Sequence, residues 1–206
     1  MDFSEWEPLY EGILADFGYS RERDRRSAKI LSKLRPTDSL RPLKHLKNKT
    51  IEVAGPFFSE SDSEITIAAG SAVEQVFEKG FEPDIMVTDL DGDKDLQLKL
   101  NLKDIPIVIH SHGDNIDLLE RWAKRFEGPA ISTCQCRPPN KDIHNFGGFT
   151  DGDRACFIAE HFGVEKIVLN GWDFDKPFSG KNSVKKKKLN WAKKLIQDLD
   201  VPIEVL

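Results

Sequence analysis

The chain has 206 residues, of which 39% are hydrophobic and 32% charged, and its formal net charge is −5. This composition excludes an intrinsically disordered chain, and the length fits one medium-sized domain with a small appendage. No apolar run reaches the roughly 18 residues of a membrane helix, no signal peptide opens the chain, and three cysteines are too few for a disulfide scaffold. We therefore expect a reduced, cytoplasmic protein without a membrane partner.

The charge is strongly segregated along the chain. Residues 50–175 carry a net charge of −13, whereas residues 1–49 and 176–206 carry +3 and +5. An acidic middle section argues against a nucleic-acid partner, because nucleic-acid surfaces must neutralise phosphates. It suits a protein whose carboxylates hold divalent cations.

The predicted elements begin with two helices. Apolar residues recur at helical spacing over the first 18 residues, up to Gly18, and a second amphipathic stretch ends before Pro36. Residues 37–49 are interpreted as a connector with one short helical turn. The helical N-terminal region spans residues 1–48, and residues 1–45 are expected to contribute stability or assembly but no chemistry.

From Thr50 onwards, seven short apolar runs alternate with helical segments at 71–79, 113–127, 151–162 and 184–199. Strands that alternate with helices predict βαβ units. We therefore expect an α/β domain over residues 49–206, with a doubly wound, mainly parallel sheet and helices on both faces. Ligands of such sheets bind beyond the carboxyl ends of the strands, so the polar residues at those ends are the candidate site.

An acidic motif follows the predicted strand Ile85-Met86-Val87. Carboxylates two residues apart on an extended chain point to the same side, about 6–7 Å apart. The spacing excludes an EF-hand, since Lys94 and Leu100 stand where Gly and Glu are required. The motif predicts a Mg²⁺ site rather than a solvated turn, and removing one acid is expected to leave the stability of the metal-free protein unchanged or raised. The predicted ligands are Asp89, Asp91 and Asp93.

Two further motifs precede predicted helices. In GGFTDGDRA, residues 147–155, Thr150 and Asp153 form a capping-box pattern, and the helix N-terminus with Arg154 could bind phosphate. A well-capped core helix is the alternative. In SHGDN, Asp114 is predicted to cap the 113–127 helix, and beside His110 and His112 it is a candidate metal or substrate contact.

The remaining signals are weaker. No Walker A or GxGxxG pattern occurs. The spacing of Cys134, Cys136, His144 and Cys156 matches no standard zinc motif, so buried cysteines are the simpler interpretation. Lys185–Lys188 are expected to be mostly solvated, and residues 175–183 could form a lid that brings one lysine to a phosphate.

Three segments in this order, PDIMVTDLDGD, HSHGDN and GGFTDGDRA, resemble the archaeal 6-hydroxymethyl-7,8-dihydropterin pyrophosphokinases, distant relatives of the thiamine pyrophosphokinases. The resemblance implies Mg²⁺-dependent transfer of diphosphate from ATP to the hydroxymethyl group of a reduced pterin, with release of AMP. It carries the metal-binding role onto Asp89 and Asp91. The Asp-Gly turn of many thiamine enzymes is absent at Ala69-Gly70-Ser71, which weakens the thiamine interpretation.

With this chemistry the candidate residues fall into three sets. Asp114 or Asp153 would take a metal position or accept the hydroxyl proton, and Arg154 would clamp phosphate. Contacts to ATP are predicted for Gly55, Gly70, Ser71, His112, Thr150, Asp151 and Lys188, and contacts to the acceptor for Phe149, Trp172 and Asp173.

Three other functions stay open at this point. They are a thiamine pyrophosphokinase, a glycosyltransferase that uses a DxD motif on a sugar nucleotide, and a non-catalytic nucleotide-binding module. The oligomeric state is also open, a homodimer included.

Overall fold

A computed structural model describes residues 2–60, 62–176 and 183–206. The helices are α1 (Phe3–Phe17), α2 (Arg21–Leu34), α3 (Arg41–Lys44), α4 (Ala72–Glu78), α5 (Lys94–Asn101), α6 (Ile116–Trp122, continued by a 3-10 turn at Ala123–Arg125), α7 (Asp151–His161) and α8 (Ser183–Gln197). The strands are β1 (Thr50–Ala54), β2 (Thr66–Ala69), β3 (Ile85–Thr88), β4 (Ile107–Ser111), β5 (Ala130–Cys134), β6 (Lys166–Asn170) and β7 (Ile203–Val205). Within the described ranges, no helix is long and apolar enough to cross a membrane.

The seven strands form one parallel sheet in the order β5-β4-β3-β2-β1-β6-β7. The chain extends the sheet from β1 to β5 on one side, then returns to place β6 on the other side of β1. This reversal is the topological switch point at which open α/β sheets bind ligands. The predicted parallel α/β fold is confirmed.

Alternate residues along the strands pack into two hydrophobic cores, one on each face of the sheet. Ile67 and Val87 pack in one core with α7, whereas Ala68 and Met86 pack in the other with residues of α2, α4 and α6. Because both faces are covered, the strands are apolar on both sides and read as continuous hydrophobic runs. The core therefore requires helices on both faces, as predicted.

The N-terminal helices share this core. The ring of Trp6 on α1 packs edge-on against Phe157 of α7, and its indole nitrogen donates to the carbonyl of Gln135 at 2.8 Å. Helix α2 packs on α6, β4 and β5. Gly18 ends α1 in the left-handed conformation, as its position predicted, and the α1–α2 turn reaches the carboxyl edge of the sheet.

Helix α5 was not predicted. Its buried face consists of Gln97, Leu100 and Asn101, so two amides replace the apolar residues that normally mark a helix. Its N-cap is Asp93, whose carboxylate accepts the backbone N–H groups of Asp95 and Leu96 at 3.0 and 3.1 Å.

Candidate active site

Two adjoining clefts lie along the carboxyl edge of the sheet. The inner cleft, about 260 Å³, lies between the α1–α2 turn, the ends of β3, β4 and β5, and the start of α7. The outer cleft, about 420 Å³, lies between the ends of β1, β2 and β6 and the starts of α7 and α8. Both clefts are lined by Asp91, Thr150, Asp151 and Lys188. These four residues therefore form the junction between the clefts.

Three carboxylates meet near this junction. One oxygen from each of Asp89, Asp91 and Asp151 lies within 4.8 Å of the other two. Asp89 and Asp91 follow β3, as predicted, and Asp151 is the first residue of α7. We call Asp89, Asp91 and Asp151 the acidic triad.

The structure corrects the predicted ligand set. Asp93 is not part of the triad, because its carboxylate caps α5. The i, i+2 expectation fails at Asp93 because the strand ends at Thr88 and the chain is about to enter α5, of which Asp93 is the N-cap residue. Asp151, predicted as a phosphate contact, joins the triad instead.

The pKa values of the three triad carboxyls reflect burial and repulsion between negative charges that lie close together. Burial, followed by the charges of Asp89 and Asp91, holds the pKa of Asp151 well above its usual range. Burial and the charge of Asp89 raise the pKa of Asp91 to about 6. Burial also acts to raise the pKa of Asp89, but the hydrogen bond from His112 and the electrostatic interaction with that ring outweigh this and lower it to about 2. A cation among these groups would relieve the repulsion.

His112 supports the triad rather than lining the outer cleft. Its Nδ1 accepts the backbone N–H of Asp114 at 3.2 Å, so Nε2 carries the hydrogen and donates to Asp89 at 3.1 Å. Asn115 holds the same loop, since its amide donates to the carbonyls of Asp89 and His110 at 2.9 and 2.8 Å. His112 therefore orients a triad carboxylate, and its predicted contact to ATP stays a prediction.

The start of α7 is built by its capping box. The carboxylate of Asp153 accepts the N–H of Phe149 at 3.0 Å, the N–H of Thr150 at 2.5 Å and the hydroxyl of Thr150 at 2.6 Å. Asp153 is fully buried and lines neither cleft. The prediction that Asp153 acts in catalysis is therefore wrong, because its oxygens are committed to the cap.

Arg154 has a different environment from the one predicted. It is buried, lines the inner cleft, and donates through its two terminal nitrogens to the carbonyls of Gly147 and Phe149 at 3.4 and 3.0 Å. Each terminal nitrogen carries a second N–H and Nε carries another, so the predicted phosphate contact of Arg154 stays a prediction. The glycine pair is required here, because a Cβ on Gly148, at a φ of 86°, would lie 2.4 Å from the Cα of Arg154.

Asp114 lies at the mouth of the inner cleft. Its exposed carboxylate is 3.4 Å from Arg23 of α2, and it is not a member of the triad. The predicted capping role is wrong, because α6 begins at Ile116 with Asn115 as its N-cap residue. Asp114 remains a candidate proton acceptor that faces the cleft.

The N-terminal region supplies one wall of the inner cleft, through Gly18, Tyr19, Ser20, Arg23 and Asp24. Its expected lack of chemistry stays a prediction, but its role exceeds stability. Buried Asp24 accepts hydrogen bonds from the Tyr10 hydroxyl at 2.6 Å, the Gln135 amide at 2.8 Å and the Gly113 N–H at 2.7 Å. It thereby ties both N-terminal helices to the loops after β4 and β5.

Sequence reasoning missed Asp24, although a signal was present. Asp24 stands at helical spacing from Ala28 and Leu31, so a carboxylate occupies the buried face of an amphipathic helix. Such a group needs partners, and clustered partners mark a position of structural or functional importance.

The outer cleft gathers most of the predicted nucleotide contacts. Gly55, Gly70 and Ser71 line it together with Trp172 and Asp173. Gly70 adopts a φ of 56°, and a Cβ there would lie 3.0 Å from a carboxylate oxygen of Asp151. A side chain at this turn would therefore press on the triad.

The aromatic candidates divide between the clefts. Phe149 lines the inner cleft and packs against Phe17 and Tyr19 with ring centroids 5.1 and 6.4 Å away. Trp172 lines the outer cleft, where its indole nitrogen donates to the carbonyl of Val53 at 2.9 Å.

The four lysines at the start of α8 differ in their solvent exposure, and most of them are exposed as predicted. Lys185, Lys186 and Lys187 are exposed, whereas half-buried Lys188 reaches both clefts, with its ammonium 5.6 Å from the centroid of the Phe149 ring. Most of the predicted lid, residues 177–182, lies outside the described residues. The three cysteines are buried and unbridged.

Comparisons with known proteins agree on one family. Residues 55–177 match the family model described as 6-hydroxymethylpterin diphosphokinase MptE-like. The 6-hydroxymethyl-7,8-dihydropterin pyrophosphokinase of Methanocaldococcus jannaschii is 35% identical over 100% of this chain and 98% of its own. The enzymes of the same name from Pyrococcus furiosus and Methanothermobacter thermautotrophicus are 37% and 34% identical, over 96% and 97% of this chain and 94% and 96% of theirs.

A solved structure shares the fold. The MAf glycosyltransferase of Magnetospirillum magneticum AMB-1 superposes with a TM-score of 0.52 at 12% identity, over 91% of this chain and 38% of that longer one. At this identity the likeness concerns the fold alone. The family match and the three full-length relatives decide the assignment: this chain belongs to the MptE-like 6-hydroxymethylpterin diphosphokinase family.

Proposed function

We propose that the protein transfers diphosphate from ATP to the hydroxymethyl group of 6-hydroxymethyl-7,8-dihydropterin, with Mg²⁺ as cofactor and AMP as the second product. The observation that carries this proposal is the acidic triad, two of whose members line both clefts. A transfer between two substrates requires such a shared junction, whereas a simple binding module does not. The names of the relatives supply the acceptor.

The triad fits Mg²⁺ by its donor set. Its members offer three carboxylate oxygens within 4.8 Å of one another, and burial together with the charges of neighbouring carboxylates raises the pKa values of Asp91 and Asp151. Oxygen ligands of this kind, completed by phosphate and water, are what Mg²⁺ prefers. When bound, the ion would supply charge neutralisation at the transferring phosphates.

The outer cleft suits the triphosphate. Gly55 and Gly70 line it at the ends of β1 and β2, and the N-terminus of α7 directs its partial positive charge towards the same cleft. Lys176, Lys185 and Lys188 add positive charge to its lining. The inner cleft then receives the acceptor, whose hydroxymethyl group is directed to the triad.

In the reaction, the hydroxyl oxygen of the acceptor bonds to the β-phosphorus. The bond between that phosphorus and the oxygen bridging to the α-phosphorus breaks, and AMP leaves with the bridging oxygen. We assign acceptance of the hydroxyl proton to Asp114, since it faces the inner cleft and Asp153 does not. The chain's remaining contribution is positioning and charge stabilisation.

The test is AMP formation from ATP, with the reduced hydroxymethylpterin, thiamine and no acceptor compared in parallel. We expect AMP and a diphosphorylated pterin in equal amounts, only with the pterin and only with Mg²⁺. Asp151→Asn should abolish turnover, and Asp117→Asn, on the exposed side of α6, is the matched control that should retain it.

Other outcomes would refute the proposal. AMP release with thiamine alone would identify a thiamine pyrophosphokinase. ATP binding without turnover would identify a binding module, and hydrolysis of a sugar nucleotide in place of ATP would favour a glycosyltransferase.

A further inference from the structure

One lysine near the start of α8 lies at the junction of the two clefts. Lys188 is half-buried and lines both clefts together with Asp91 and Asp151. Its ammonium lies 5.6 Å from the centroid of the Phe149 ring and forms no ion pair with any residue that the structure describes. The positive charge of Lys188 is therefore available to an anion that enters either cleft.

The docking of α8 on α1 sets the position of Lys188. The indole nitrogen of Trp191 donates to a carboxylate oxygen of Asp16 at 2.8 Å. The ammonium of Lys187 donates to the carbonyl of Asp16 and lies 3.6 Å from its carboxylate. The helices approach closely here, since a Cβ on Gly12 would lie 3.1 Å from the Trp191 ring. Asp16 thus holds the residue before Lys188 and the residue three positions after it.

Two aromatic rings extend this contact to the inner cleft. The Lys187 ammonium lies 5.0 Å from the centroid of the Phe17 ring, and the rings of Phe17 and Phe149 are 5.1 Å apart. A cation over a ring is held in place while its charge is not neutralised. The two neighbouring lysines therefore differ, because Asp16 balances the charge of Lys187, whereas Phe149 orients that of Lys188.

We propose that Lys188 is a catalytic residue whose ammonium binds the diphosphate during its transfer, and that Asp16 is the positioning residue that keeps Lys188 at the junction. This inference rests on the proposed function, since it adds a group to that reaction. The β- and γ-phosphates start in the outer cleft as part of ATP and end in the inner cleft on the acceptor. A cation that lines both clefts can bind them before and after the transfer.

The transfer leaves the protonation of Lys188 unchanged. The acceptor oxygen bonds to the β-phosphorus, the bond from that phosphorus to the bridging oxygen breaks, and AMP leaves with this oxygen and the electron pair. The hydroxyl proton passes to Asp114. The ammonium offsets part of the negative charge of the transferring group. Lys176 and Lys185 line the outer cleft but not the inner one, so their position suits ATP alone.

The first test compares lysines of the same helix. Lys188→Met removes the charge and keeps an apolar stem, and Lys186→Met is the matched control, since Lys186 is exposed and lines neither cleft. We expect Lys188→Met to lower kcat by about 10- to 100-fold and Lys186→Met to leave it unchanged. In calorimetric titrations with one ligand at a time, Lys188→Met should weaken the binding of both ATP and the diphosphorylated pterin. Lys185→Met should weaken that of ATP only.

A double-mutant cycle tests the role of Asp16. Asp16→Ala should lower kcat by about 3- to 10-fold in the otherwise wild-type protein but have little further effect in the Lys188→Met background, because it acts through Lys188. Asp16→Asn keeps an acceptor for Trp191 and should lose less activity. Melting temperatures verify that all variants are folded.

The possible failures of this inference can be told apart. An unchanged kcat in folded Lys188→Met, or weaker binding of ATP without weaker binding of the diphosphorylated pterin, overturns the role of Lys188. Equal losses from Asp16→Ala in both backgrounds overturn the positioning role of Asp16. If the wild-type protein releases no AMP with the pterin, the proposed function itself fails.

Discussion

Asp89 and Asp91 are adjacent members of the triad, yet their substitution should have opposite effects on the stability of the metal-free protein. The charge of Asp91 is unfavourable, since burial and Asp89 raise its pKa from 3.8 to about 6. The charge of Asp89 is favoured by His112, which lowers its pKa to about 2. The sequence alone predicted an unchanged or raised stability for both variants.

The size of the expected stability change follows from the raised pKa of Asp91. About two pKa units correspond to ~3 kcal/mol for a fully buried group. Although burial contributes to the raised pKa of its carboxyl, the residue as a whole remains exposed to solvent that screens its charge, so we discount this to about 1 kcal/mol. Asp91→Asn should therefore raise the melting temperature by about 2–4 °C at pH 7.5 in EDTA.

The pH dependence of protein stability tests the direction of the Asp91 effect. The folded protein binds the Asp91 proton more tightly than the unfolded chain, so this group lowers stability progressively as the pH rises from about 4 to about 6. The gain from Asp91→Asn should therefore be smaller at pH 5 than at pH 7.5.

Asp89→Asn should lower the melting temperature at pH 7.5, by about 2–4 °C, because it weakens the charge-assisted hydrogen bond from His112. Mg²⁺ should raise the melting temperature of the wild-type protein and of Asp117→Asn, but of neither triad variant. Scanning calorimetry in EDTA and in Mg²⁺ measures all four proteins. Shifts of the same sign for Asp89→Asn and Asp91→Asn in EDTA would refute the electrostatic reasoning.

Two further predictions concern the start of α7. Asp153→Ala should lower the free energy of unfolding by about 1–2 kcal/mol, because the capping box is lost. The kcat of the folded enzyme should stay close to that of the wild type. A large loss of kcat without a lower melting temperature would return Asp153 to catalysis. Arg154→Lys should lower the melting temperature by several degrees, because a lysine cannot serve both buried carbonyls, and should raise the KM for the pterin. A raised KM for ATP with an unchanged KM for the pterin would instead support the phosphate clamp.

The strands could be predicted because each is a short, continuous apolar run, and the helix ends because Gly18 and Thr150 stand at the expected caps. The sequence could not reveal α5, whose buried amides hide the helical period. Nor could it place the α1–α2 turn, since an amphipathic stripe predicts that a helix packs but not what it packs against.

The site residues also divide into those that the sequence could predict and those that it could not. Asp89 and Asp91 could be found because two acids followed one buried strand. Asp151 could not be grouped with them, because some 60 residues intervene and only the packing of α7 across β1, β2 and β3 joins the two segments. Asp93 was included in error, since local spacing does not reveal that its carboxylate caps the unpredicted helix α5.

The docking of the N-terminal helices on elements formed near the end of the chain has a consequence for synthesis on the ribosome. Trp6 bonds to the carbonyl of Gln135, and Asp16 accepts a hydrogen bond at 2.8 Å from Trp191, 175 residues later. Helix α1 leaves the ribosome first but cannot bury its apolar face until α7 and α8 exist, and contacts of such long range fold slowly. The nascent chain therefore exposes this face throughout translation, and the inner cleft acquires its last wall only after nearly all of the protein has been made.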